Sequence, residues 1–139
     1  MKWIYGRQDW KTLERGLENC YLLTNGLGGF SSLTMTGAVA RNDHSVFMSC
    51  TKAPNHRINM IHRMKEELDI GESKYVLSTQ EFADGTKEEE YRYLTEFSFE
   101  ILPSWRYLIN GVEIEKEIVM AQGSNQIAVN YHLKNRGQK

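Results

Sequence analysis

"YRYLTEFSFEILPSWRYLINGVEIEKEIVMAQGSNQIAVNYHL", residues 91–133, decides the fold. Tyr91, Tyr93, Phe97, Phe99 and Ile101 stand at alternate positions, with Arg92, Glu96, Ser98 and Glu100 between them. Successive side chains of an extended chain point to opposite faces, so this spacing predicts a strand with one buried face. Trp105, Tyr107 and Ile109 repeat the pattern, and Asn110-Gly111 follows. Both residue types accept the positive φ angles of a type I′ turn, which predicts a hairpin. Val112, Ile114, Ile118 and Met120 then alternate with Glu113, Glu115 and Glu117, and Gly123-Ser124-Asn125 returns the chain into Ile127, Val129, Tyr131 and Leu133. Four consecutive strands in an antiparallel meander are predicted. Pro103, which lacks an N–H, marks a bend or an edge position.

Upstream of the meander the pattern is less regular. From Thr34 the chain is rich in Thr, Val, Phe and Met, and Val46-Phe47-Met48 and Tyr75-Val76-Leu77 read as short buried strands. Trp10, Leu13 and Leu17 share a helical face behind Asp9 as a candidate N-cap, although Gly16 weakens that helix. The whole reads as an all-β fold, an antiparallel β-sandwich, with 139 residues forming one domain or part of one.

Composition narrows the function. The hydrophobic fraction of 40% is enough to build a core. Seventeen Lys and Arg against 18 Asp and Glu leave a net charge of −1, so no overall field attracts a phosphate backbone and nucleic acid is not an expected partner. The run Lys87-Glu88-Glu89-Glu90 reads as a solvated loop. No apolar run exceeds four residues, which argues against a membrane span or a signal peptide. Cys20 and Cys50 have no disulfide framework around them and are expected to be reduced, in a cytoplasmic protein.

The motif that asks for a chemical reading is Leu22-Leu23-Thr24-Asn25-Gly26-Leu27-Gly28-Gly29-Phe30, followed by Arg41, Asp43 and His44. Gly26-Leu27-Gly28 approaches the dinucleotide fingerprint G-x-G-x-x-G, but its third glycine falls on Ser31, and Ser31-Ser32-Leu33-Thr34-Met35-Thr36 is a poor first helical turn. No Gly-Lys-Ser/Thr is present for a P-loop. The plainer reading is a tight corner in which Gly26, Gly28 and Gly29 supply positive φ or close backbone approach. Asn25, Arg41, Asp43 and His44 are candidate sugar contacts, since together they donate and accept hydrogen bonds. The plainer reading of Arg41, Asp43 and His44 is a buried structural triad tying the glycine loop to the next strand.

Other chemistry has less support. Glu66, Glu67, Asp69, Glu88 and Glu96 lie among charged neighbours and read as surface charge, so no catalytic residue is nominated. His44, His56, His62 and His132 lack the spacing of a metal site, and no metal or other cofactor is expected. Trp105 and Tyr107 have flat faces that can stack on sugars, but their alternation with Arg106 favours a core or interface role.

The segment Leu22–Ser32 resembles "LLTNGLGGYAS", the opening signature of the bacterial and archaeal type of glycogen debranching enzyme. Tyr91–Phe97, Leu102-Pro103-Ser104-Trp105, Gly111–Lys116 and Met120–Tyr131 resemble later stretches of the same family, in its order. The family commonly reads Thr-Arg-Arg/Lys-Tyr-His-Gly-Leu-Leu where this chain has Ala40 to Phe47; Arg41 and His44 stay in register, while Asn42, Asp43 and Ser45 depart. The resemblance implies an N-terminal, supersandwich-like domain over residues 1–139, one portion of an amylo-α-1,6-glucosidase whose hydrolytic carboxylates lie in a following (α/α)6 barrel. It also implies a glucan ligand, that barrel as the domain's partner, and no complete catalysis by this portion. The altered Asn42-Asp43 stretch leaves a second reading, a free-standing carbohydrate-binding or interaction module.

Overall fold

Asn110 and Gly111 take φ of 46° and 77°, the pair of left-handed conformations that a type I′ turn needs, and the chain folds back on itself there as the dipeptide predicts. The computed structural model describes residues 1–137. In chain order its strands are β1 (Trp3–Gly6), β2 (Leu23–Thr24), β3 (Phe30–Ser32), β4 (Ser45–Lys52), β5 (His56–Ile61), β6 (Glu67–Ile70), β7 (Ser73–Val76), β8 (Thr79–Glu81), β9 (Lys87–Glu89), β10 (Leu94–Phe99), β11 (Pro103–Ile109), β12 (Val112–Met120) and β13 (Ile127–Asn135). The predicted meander is β10 to β13, extended by the N-terminal strand into an antiparallel sheet of order β1-β10-β11-β12-β13. A second antiparallel sheet has the order β2-β3-β4-β5, and two hairpins, β6-β7 and β8-β9, complete an all-β architecture consistent with a sandwich.

One core joins the two larger sheets. Leu94, Phe97, Trp105, Tyr107, Ile109, Ile114 and Ile118 of the first are buried with Val46 of β4 and with Leu33 and Met35, which follow β3. Trp105 also donates its indole N–H to the Met35 carbonyl at 3.0 Å, which satisfies the polar atom that burial would otherwise strand. Its role, and that of Tyr107, is core packing, since both side chains are enclosed.

The alternation over 91–101 is only partly what the sequence predicts. Tyr91 and Tyr93 lie in a 3-10 turn, Glu90–Tyr93, before the strand starts. A bulge between Leu94 and Glu96 then shifts the parity, so that Leu94 and Phe97 both face inward. Beyond β10 the chain bends, leaving Phe99 half-buried and Ile101 82% exposed, so Ile101 is not on the buried face. Pro103 opens β11, where a strand tolerates the missing N–H.

The predicted N-terminal helix is a single turn, Leu13–Gly16. Thr12, not Asp9, is its N-cap, accepting from the Arg15 N–H at 3.3 Å. Asp9 sits in a 3-10 turn, Arg7–Trp10, and accepts from the Gly6 N–H at 2.8 Å. Both cysteines are free thiols, Cys20 exposed and Cys50 buried. Among the described residues no helix is long and apolar enough to cross a membrane.

Candidate functional site

Asn25 organises the glycine corner. Its side chain has no exposed surface, and its Oδ1 accepts the N–H of Leu27 at 2.9 Å and that of Gly29 at 3.1 Å. Its Nδ2 donates to the Ser124 carbonyl at 3.1 Å and to Asn125 Oδ1 at 3.0 Å. Two accepted and two donated bonds exhaust a carboxamide. The backbone adds a 2.8 Å bond from the Gly123 N–H to the Asn25 carbonyl, so the corner is fastened to the turn between β12 and β13, about a hundred residues away. As a candidate sugar contact, Asn25 is turned inward and holds the shape of the corner.

The glycines answer two different needs. Gly28 has φ +88°, and a Cβ there would sit 3.2 Å from Cys50 Sγ. Gly29 is glycine for space: a Cβ would approach Asn25 Nδ2 to 2.7 Å and the Met48 carbonyl to 3.0 Å. Because Leu27 and Gly29 spend their N–H groups on Asn25, those two donors do not converge on an anion.

The corner forms one wall of an open groove of about 500 Å³, lined also by Thr24, Phe30, Ser32, Asp43 and Arg57. Arg57 reaches across from β5, donating its Nε–H to the Gly28 carbonyl at 3.0 Å and lying over the Phe30 ring at 5.7 Å. Its terminal N–H groups have no protein hydrogen-bond acceptor among the described residues. Asp43, on the turn before β4, faces the same groove. A cation, a carboxylate and an aromatic face therefore share one concavity.

The other predicted residues separate. His44 is 1% exposed, and its Nδ1 accepts the Ala40 N–H at 3.0 Å, which places the ring proton on Nε2. Burial holds its pKa below the ordinary histidine value; Asp43 opposes that shift and Arg41 adds to it. Arg41 and Asp43 are exposed, so the three do not form a buried triad. Arg41 contributes its carbonyl, which receives the His44 N–H at 3.0 Å and closes the turn.

Three of the acidic residues read as surface charge are partly buried, and one of them, Glu96, lies 3.6 Å from Arg106. Glu66 pairs with Lys116 and accepts the Tyr131 hydroxyl at 2.8 Å, and Glu88 pairs with Arg63. Among the described residues no three His, Cys, Asp or Glu side chains gather as metal ligands. Arg57 is the groove residue that sequence reasoning missed. No motif marks it, and only the pairing of Cys50 with Arg57 across β4 and β5 brings it to the corner.

The family model described as glycogen debranching enzyme N terminal matches residues 19–139, a span that includes the corner, the groove and the whole meander. The chain belongs to this family. The comparisons with curated proteins and with solved structures gave no match. Within the family's span lie Asn25, Arg41, Asp43, His44 and Arg57, whereas Trp3, Tyr5 and the N-terminal helical turn precede it.

Proposed function

We propose that this chain is the glucan-facing N-terminal domain of a debranching enzyme that hydrolyses α-1,6-glucosidic branch points, and that it shapes one side of the substrate cleft beside a catalytic barrel. The observation that carries the reading is the groove between the glycine corner and Arg57. Its charges are of opposite sign, so it does not favour an anion over a neutral ligand, while Arg57 offers donors, Asp43 offers acceptors and Phe30, beneath the guanidinium, adds apolar surface. That combination suits a sugar ring, which is uncharged, rimmed with hydroxyls and apolar on its faces. Asn25 fixes the corner from within, and His44 closes the turn that carries Asp43.

The test is glucan affinity, measured by calorimetry with a branched limit dextrin on the full chain and on Arg57→Ala and Asp43→Ala. Both side chains are exposed, so melting should change little. Loss of a charged hydrogen-bond partner is worth about 1.5 kcal/mol, roughly tenfold in Kd. Unchanged affinity in both variants, or no affinity in the parent chain, would defeat the proposal.

A further inference from the structure

A second concavity, of about 300 Å³, adjoins the groove at the β1 edge of the larger sheet. It is lined by Trp3, Tyr5, Tyr21, Phe97 and Phe99, with Leu22 and Cys20 at its border. Antiparallel register sets Trp3 opposite Phe99 and Tyr5 opposite Phe97, so four aromatic side chains stand on one face of two neighbouring strands. Tyr21 covers one end of this row, with its ring 6.1 Å from Phe97 and stacked 6.3 Å from Phe99. The other end is open. Trp3 is 57% exposed, whereas Trp10 and Trp105 are 2% and 1% exposed. Leaving so large an apolar ring in water forgoes the stabilisation that burial would bring, which makes it a binding surface to be explained.

Two observations identify the occupant. No charged side chain lines the pocket, so the ligand is not held by ion pairing. Leu22 lines both this pocket and the groove of Arg57 and Asp43, so the two concavities meet along one residue of the corner. A ligand long enough to leave the groove past Leu22 arrives at aromatic faces. We propose that Trp3, supported by Tyr5 and Phe99, is a second subsite for the same glucan chain and stacks on a glucosyl ring beyond the one held at Arg57. The proposal rests on the glucan reading of the groove and adds the extent and direction of the bound chain, using a strand outside the family's matched span.

The structure supplies its own reporter, since Trp3 is the one exposed tryptophan of three. In the full chain, maltoheptaose should shield the fluorescence from acrylamide and slow the modification of Cys20 by a thiol reagent, while Cys50 stays buried and unreactive. Trp3→Ala should weaken maltoheptaose binding about tenfold and Trp3→Tyr by less, as expected for a stacking contact of this size. Melting should be unaffected in both. Wild-type affinity in Trp3→Ala, with affinity lost in Arg57→Ala, overturns this subsite and leaves the groove standing. Affinity lost in Trp3→Ala and kept in Arg57→Ala overturns the groove instead. No binding of maltoheptaose overturns both.

Discussion

Asn25→Ala is the substitution that most directly tests how the corner is held. It removes four side-chain hydrogen bonds at once, to Leu27, Gly29, Ser124 and Asn125. Leu27 is exposed, so its N–H can turn to water, and the Ser124 and Asn125 groups lie close enough to the surface to do the same. Each of those three losses costs about 0.5–1 kcal/mol net. The Gly29 N–H is enclosed and would be left without a partner, which adds about 1–3 kcal/mol. The sum, about 4 kcal/mol, is a large share of the stability of a domain this size and corresponds to roughly 10–15 °C in melting temperature. Urea and thermal denaturation measure it. Asn25→Asp separates the two halves of the network, because it keeps the acceptor for Leu27 and Gly29 but sets an oxygen where Nδ2 lies 3.1 Å from the Ser124 carbonyl. Burial raises that carboxyl's folded pKa above its unfolded value, so the variant should be least stable at pH 8 and recover as the carboxyl is protonated on acidification. A cost under about 0.5 kcal/mol for Asn25→Ala, or full stability of Asn25→Asp at pH 8, would refute the account of the corner.

Phe97 packs against Tyr5, Tyr21 and Trp105 with ring centroids 5.3–6.2 Å away, so Phe97→Ala should cost about 3–5 kcal/mol, and half-buried Phe99→Ala less. Urea denaturation that ranks them the other way would contradict the parity shift at the β10 bulge. His44 has a folded pKa below that of the unfolded chain, so on acidification the unfolded state takes its proton first and stability falls from about pH 6.5 down towards the depressed folded value. Melting should therefore drop between pH 7.5 and pH 5, and the drop should shrink in His44→Gln; equal pH slopes in the two proteins would remove the inference.

The meander was legible because its signals are local. Asn110-Gly111 fixes a turn without help from the rest of the chain, and the alternation from Val112 to Met120 survives intact in β12. Tertiary pairing governs what the pattern hid. The β10 bulge is set against β11, and it falls at Leu94 and Thr95, where the apolar alternation over 91–101 is itself interrupted. Lys116 faces inward at a position the pattern reserves for an apolar residue, made tolerable by Glu66 and by the Trp105 ring 5.4 Å away, partners contributed by other segments. The site divided in the same way. The corner was visible as a corner, while Arg57 depended on the β4-β5 register, and the contrast between buried His44 and exposed Arg41 depended on which side of a turn meets the core.

The glycine stretch resembles a phosphate cradle for a physical reason, and the same reason shows why these N–H groups do not serve as one. Successive glycines let backbone N–H groups turn towards a common point, which an anion fills in nucleotide-binding loops. Here the point near Leu27 and Gly29 is filled by the Oδ1 of Asn25, carried by the chain one residue before the first glycine. An acceptor supplied in cis satisfies those donors permanently, and it needs neither a helix N-terminus behind it nor a positive surround. Beside that closed corner the groove is lined by the Phe30 ring and by the opposed charges of Asp43 and Arg57, and the Gly28 carbonyl accepts the Arg57 Nε–H. In this chain the buried carboxamide beside the glycines closes the loop on itself at Leu27 and Gly29, which makes the stretch a wall of the groove and not an anion cradle built from those two N–H groups.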